Sequence, residues 1–347
     1  MNSLTQRFAF SVLAGSLAAA PLGARGTDAE PQTVTIQDVG SLPDGGTFVT
    51  AIGPGGQVVG SARATEKGKS HAFLFADGKM QGVAASEKGE STAYAVNGAG
   101  AVVGSASSGS RSYAALFANG SVTRLRDLGG GYSFATGIND AGQIVGVSRT
   151  RDGSQHGFLQ QNGEARDLGT MGGNSSVARA INALGQVVGW STTRRTETHH
   201  AFLWQGGKFT DLGTLGDGDS NAAGLNRAGD AVGSSAIKGG KETHACLFRN
   251  GRVMDLGTLG GKDSEAKGIN SVGVVVGSST LGGEQVRHAF VWHKGDLIDL
   301  NSLLPPNSGW ELMEANGIND DGYVVGSGSY PGASGAFVLR LPARLRD

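Results

Sequence analysis

The chain has 347 residues, a net charge of −1 and 60 glycines against 8 prolines. That glycine share is far above the usual ~7%, yet it lacks the prolines of a collagen-like or linker chain, and 38% hydrophobic content excludes a disordered one. A near-neutral balance gives no overall field to draw nucleic acid or a membrane surface.

The first element is a leader. One basic residue, Arg7, precedes an apolar run over 8–22, and small residues follow it. This is the pattern of a secretory signal peptide over 1–26, with Ala24 and Gly26 fitting cleavage after Gly26. The run is shorter than the ~20 residues a membrane span needs. The expected location is therefore secreted or periplasmic, with no transmembrane segment after cleavage. The single cysteine, Cys246, allows no internal disulfide, and its setting "HACLF" reads as a small buried hydrophobe.

From residue 33 the chain repeats itself. "GINDAGQIVG" begins at Gly137, and related phrases begin at Ala51, Ala95, Ala180, Gly224, Gly268 and Gly317. The marker asparagines are Asn97, Asn139, Asn182, Asn226, Asn270 and Asn319, with Gly53 in the first copy. The steps between markers are 44, 42, 43, 44, 44 and 49 residues. Each unit holds four short runs of strand character, such as "SVARAIN", "QVVGWS", "HAFLW" and "KFTDLG". Four strands per repeat of this size predict an all-β fold, a β-propeller of seven four-stranded blades over 33–341, followed by a short tail at 342–347. The last repeat lacks its "DLG" strand, whereas "TVTIQDVGSL" at 33–42 is such a strand without partners. The N-terminal strand is thus expected to complete the last blade and close the ring. An open solenoid would need polar caps instead.

Within the phrase, Asn at the first turn position and Gly at the fourth predict a type I hairpin turn, with Gly supplying the left-handed conformation. The Gly of "VVG" predicts close approach of another backbone. A ring of Asn side chains binding a ligand is the functional alternative; the hairpin accounts for both Asn and Gly and is preferred.

The order "DLGTLGG", "GIN-xx-G-x-VVG-x-S" and "HAFLW" resembles the HAF-repeat family of bacterial extracellular proteins, with "HAF" standing at 71–73, 200–202 and 288–290. The resemblance covers essentially 33–341. It implies an exported repeat protein and brings no biochemical activity with it.

Two recurrent side chains invite chemistry. His71, His156, His200, His244 and His288 share one repeat position, and Asp38, Asp127, Asp167, Asp211, Asp255 and Asp299 share another. Recurrence around a ring keeps equivalent residues apart, so each His is expected to bond within its own blade to the Asp of "DLG", and each Asp to cap the Gly turn after it. No catalytic residues and no metal ligands are assigned. "GDGDSN" at 216–221 has spaced oxygens like a calcium loop but no bidentate Glu downstream, and reads as an acidic turn. No phosphate loop, dinucleotide fingerprint or nucleophile motif is present, so no cofactor is expected.

Where the repeats disagree, binding is expected. The loops joining second and third strands carry eleven basic and five acidic residues, a net of +6. All seven should emerge on one face, with Tyr132 and Trp310 in inner turns of that face. The expected ligand-binding residues are Arg149, Arg151, Arg194, Arg195, Tyr132 and Trp310, suited to an anionic glycan or envelope component rather than nucleic acid. The reading is a non-catalytic binding or scaffold propeller. Its alternative is a hydrolase or lyase acting on polysaccharide, with its site at the axial mouth.

Overall fold

The computed structural model describes residues 34–40, 46–63, 68–83, 89–194, 198–283 and 286–346. The expected leader at 1–26 and Arg195 lie outside these residues. The described chain folds into seven antiparallel blades of four strands each, and one parallel bridge, Gln155 to Ser175, joins the third and fourth into an eight-stranded sheet. Six are consecutive in sequence: blades 1 to 6 occupy 47–82, 91–124, 129–169, 172–213, 220–257 and 260–299. Blade 7 takes three strands from 311–340 and its fourth from Ile36–Asp38, which runs antiparallel to Ala333–Arg340 with Gln37 opposite Val338. The N-terminal strand therefore completes the last blade, as the sequence anticipates.

Each sheet is too thin to bury both faces alone, and the core consists of seven wedges between sheets. The wedge between blades 5 and 6 holds Leu247, Val275 and Phe290. Blades 7 and 1 share one of the same kind, with Val325 and Ala336 against Val58 and Phe73. The Phe of "HAF", and of "HGF" in blade 3, is the wedge anchor: Phe73, Phe158, Phe202 and Phe290 are all fully buried. Cys246 occupies that position in blade 5 and is buried as well, as expected for a small hydrophobe. The tail after 341 is not loose, because Leu345 enters the wedge between blades 6 and 7.

Polar side chains of the repeat staple neighbouring blades. Ser176, midway along the inner strand of blade 4, accepts the Gly157 N–H of blade 3 at 2.9 Å, and Ser133, Ser220 and Ser264 do the same elsewhere. The marker asparagines do more than turn the hairpin. Asn182 is buried; its Oδ1 accepts the N–H groups of Leu184 (3.0 Å) and Gln186 (3.1 Å), which fixes the turn. Its Nδ2 then donates to the Asn226 carbonyl of the next blade at 3.1 Å. Asn97, Asn139, Asn226, Asn270 and Asn319 repeat the link, the last to the Gly53 carbonyl at 3.5 Å. Six amide links thus form a belt around the axis. The step from blade 1 to blade 2 has none, because Gly53 has no side chain. These amides are fully used by the scaffold and are not a ligand ring.

The Gly of "VVG" does face a close backbone, but within its own blade. A Cβ on Gly189 would stand 1.8 Å from the Val177 carbonyl oxygen, and Gly60, Gly104, Gly146, Gly233, Gly277 and Gly326 are equally confined. The reason is a β-bulge in each inner strand, which brings that carbonyl toward the second strand.

Candidate binding site at the axial mouth

The bulge builds the site. In every blade the ladder between inner and second strands slips by one residue, for example between Ala178 and Ala180 of blade 4. The residue left over is re-aimed out of the sheet. These seven residues are Thr50, Tyr94, Thr136, Arg179, Ala223, Lys267 and Asn316, three positions before each marker, and all seven line one axial cavity of about 1070 Å³. Their flanks are uniform by contrast: Ala51, Ala95, Gly137, Ala180, Gly224, Gly268 and Gly317 also line it. Small residues are needed there because the inner strands converge, and a Cβ on Gly224 would come 2.9 Å from the Lys267 carbonyl oxygen of blade 6.

The cavity has two kinds of wall. On blades 2 to 4 it is aromatic. Tyr94 and Phe134 have ring centroids 6.2 Å apart, and Tyr132 continues the row 6.0 Å from Phe134. Trp190 stands edge-on to His199 at 4.4 Å. From blade 4 round to blade 7 the wall is polar. Lys267 Nζ lies 3.0 Å from both Glu314 Oε2 and Asn316 Oδ1. Arg179, Asn221 and Glu265 also face the cavity. Among the described residues neither Arg179 nor Glu265 enters an ion pair. Two of the bulge hydroxyls serve the scaffold instead: Thr50 donates to the Ala93 carbonyl and Thr136 to the Ala178 carbonyl of the next blade.

The loop residues singled out in the sequence fall into three groups. Arg149 and Tyr132 meet, with the guanidinium 5.5 Å from the ring centroid, so the aromatic row ends in a cation. Arg151 and Arg194 lie over Gly129 and Gly172 in the adjacent inner turns of blades 3 and 4. Trp310 stands apart in blade 7. Its ring packs on Tyr330 at 4.9 Å and Phe337 at 6.3 Å, against the core shared by blades 6 and 7. It is half-buried there as part of the scaffold wall, and the structure does not bring it to the arginines.

The repeated His and Asp form pairs inside single blades. His156, His200, His244 and His288 place Nδ1 within 2.7–2.9 Å of an oxygen of Asp167, Asp211, Asp255 and Asp299. The same aspartates accept the N–H two residues on, as Asp211 does from Gly213 at 2.8 Å. The capping role follows the expectation from recurrence, and so does the pairing for these four histidines; His71 departs from it, because Gly82 stands where the other blades carry the Asp. No three His, Cys, Asp or Glu side chains converge as a metal site among the described residues. In "GDGDSN", Asp219 accepts the His199 N–H at 2.8 Å and faces the cavity. Burial pushes the Cys246 thiol far above its ordinary value, with the charge of Asp255 adding to the effect, so it remains a protonated, unreactive thiol. Among the described residues no helix is long and apolar enough to cross a membrane.

The axial row was missed in the sequence, although one signal pointed to it. The position three before the marker reads Thr, Tyr, Thr, Arg, Ala, Lys and Asn between near-constant neighbours. Strict strand alternation places that residue on the same face as Val177 and Ile181 in blade 4, and only the bulge redirects it.

Compared with known family models and with curated proteins, the chain matches none. Solved structures share its architecture. Oligogalacturonate lyase from Vibrio parahaemolyticus is 9% identical over 92% of this chain and 96% of its own, with a TM-score of 0.57. A gluconolactonase from Xanthomonas campestris is 11% identical over 91% and 96%, with a TM-score of 0.44. TolB from Acinetobacter baumannii is 14% identical with a TM-score of 0.46; the match takes in 60% of this chain and about half, 53%, of TolB. At such identities the likeness is one of fold, and it rests on the lyase: this chain is an all-β propeller.

Proposed function

We propose that the protein is an exported, non-catalytic propeller that binds a saccharide at its axial mouth. The observation that carries this reading is the bulge row. Seven equivalent residues, different in nearly every blade, project into one cavity, while the residues beside them keep to the repeat. Thr50, Thr136 and Asn316 bond to the next blade, but a repeating scaffold does not call for Tyr94 or Arg179 in the same row, and a ligand with an uneven surface does. Sugar rings present apolar faces, which suit Tyr94, Phe134 and Trp190, and hydroxyls, which suit Arg179, Asn221, Glu265 and Lys267. Export is supported by the pattern of residues 1–26.

The test is a glycan array probed with the mature protein and with Tyr94→Ala and Phe134→Ala. The proposal expects saccharide binding that falls about tenfold or more in each variant, since a well-placed aromatic face contributes on the order of 1–2 kcal/mol. Binding to no saccharide, or binding unchanged in both variants, would remove the axial mouth as the site. A second reading, an enzyme that cleaves the same class of chain, draws on Glu265 and Asp219 in the cavity. It requires new reducing ends to appear from a bound oligosaccharide, and their loss in Glu265→Gln.

A further inference from the structure

We infer that the ligand is an acidic saccharide chain, its charged groups lying over an arc of cations on blades 3 to 5. This rests on the saccharide reading above and adds the charge and the path.

The arc is built by the repeat. Arg151, Arg194 and Lys238 occupy one repeat position on three consecutive blades, each 22 residues after the glycine it overlies. A Cβ on Gly129 would stand 2.7 Å from Arg151 Cγ, one on Gly172 3.0 Å from Arg194 Cβ, and one on Gly216 2.6 Å from the Lys238 backbone nitrogen. In blade 6 the same position is Gly282, above Gly260, and the charge stops there. All three cations are exposed, and none enters an ion pair among the described residues. Two more cations join the arc to the cavity: Arg149 on the Tyr132 ring and Arg179 in the axial row.

Nearby acids offset part of this charge. Asp152, beside Arg151, is kept charged by the hydrogen bonds it accepts from Thr150 and Ser154, whereas Asp219 lies against His199 and Glu242 stands 4.0 Å from Lys262. Asp217, exposed beside blade 5, is the one acid there that makes no such contact among the described residues. On blades 6 and 7 the charges are mixed: Glu265, Glu311 and Glu314 stand among Lys262, Lys267 and Arg287, and Lys267 is paired with Glu314. A chain that carries negative charge at intervals is thus drawn to the cations of blades 3 to 5, which have no such partners among the described residues. Its rings stack along Tyr94, Phe134 and Tyr132, while its acidic groups meet Arg149, Arg151, Arg194 and Lys238. Arginine suits that task because its fork pairs with a carboxylate through two hydrogen bonds.

The test is calorimetric titration of the mature protein with hexamers of mannuronate, guluronate and glucuronate, each beside its carboxyl-reduced, neutral form. An oligothymidylate serves as the rival polyanion. The expected result is that at least one uronate binds about tenfold or more tighter than its neutral form, the scale of one charge-assisted contact. That gap should narrow with added salt and collapse in Arg151→Ser/Arg194→Ser/Lys238→Ser. The variant should fold normally, because all three side chains are exposed and blade 6 already carries Gly282 at the position. Equal binding of acidic and neutral forms would overturn the acidic ligand and leave the saccharide reading standing. No binding of any sugar would overturn both. Tighter binding of the oligothymidylate than of every uronate would overturn the saccharide in favour of a nucleic acid.

Discussion

Replacing Asn182 with Ala tests the belt that holds the axis open. The side chain satisfies three backbone groups in a buried place: it accepts from the N–H of Leu184 and of Gln186, and it donates to the Asn226 carbonyl across the blade boundary. Alanine removes all three bonds and leaves the Leu184 and Gln186 N–H groups without partners, while the Asn226 carbonyl keeps the Gly229 N–H at 3.2 Å. At about 1 kcal/mol for each hydrogen bond, the loss is roughly 3 kcal/mol, well above the ~1 kcal/mol of an average substitution. Asn182→Asp separates the two halves of the effect. It keeps the acceptor for the turn but sets a carboxylate against the Asn226 carbonyl. Burial raises the folded-state pKa of that carboxyl above its unfolded ~3.9, so the deficit relative to wild type is small in acid and grows as pH rises through the folded value. The assay is urea unfolding followed by tryptophan fluorescence at several pH values, with Leu184→Ala as control, since that side chain is 61% exposed. If Asn182→Ala lies within 0.5 kcal/mol of the control, on the order of an ordinary surface change, the belt carries no stability. A deficit in Asn182→Asp that does not vary with pH would refute the assignment of the cross-blade bond.

Three further outcomes follow from the same geometry. Gly189→Ala forces a Cβ onto the Val177 carbonyl and should cost about 3 kcal/mol, at the upper end of overpacking; a neutral result in the same urea assay would mean the bulge yields easily. Cys246 should not react with a thiol-specific disulfide reagent until the protein is unfolded, because it is buried and protonated; rapid modification of the folded protein would contradict its place in the wedge. Asp211→Ala removes both the His200 partner and the acceptor for Gly213, and should cost about 1 kcal/mol while leaving saccharide affinity unchanged; a loss of affinity in calorimetry would move the His–Asp pairs into the binding machinery.

The architecture was legible because it is periodic. Markers 42 to 49 residues apart, four strand runs per unit and complementary ends lead to seven blades with the N-terminal strand in the last. The His–Asp pairing was legible for the same reason, since a contact within one repeat recurs at fixed spacing. Contacts between repeats were not. Asn182 looks like a turn residue from its own hairpin, and its bond to Asn226 exists only because the inner strands converge at the axis. The bulge residues escaped notice because alternation is the rule by which strands are read, and a bulge breaks it. The packing of Trp310 was not legible either: its ring rests on Tyr330 and Phe337, which are 20 and 27 residues further along the chain. Arg149 and Tyr132, far apart in function as sequence letters, were rightly placed on one face and prove to be in contact.

The most direct measurement is a crystal structure of the mature protein with an oligosaccharide that the array selects. The account predicts sugar rings in the axial cavity, stacked on Tyr94 and Phe134 and within hydrogen-bonding distance of Arg179. A ligand seated on the opposite face, or on the outer edges of the blades with the axial cavity vacant, would contradict it.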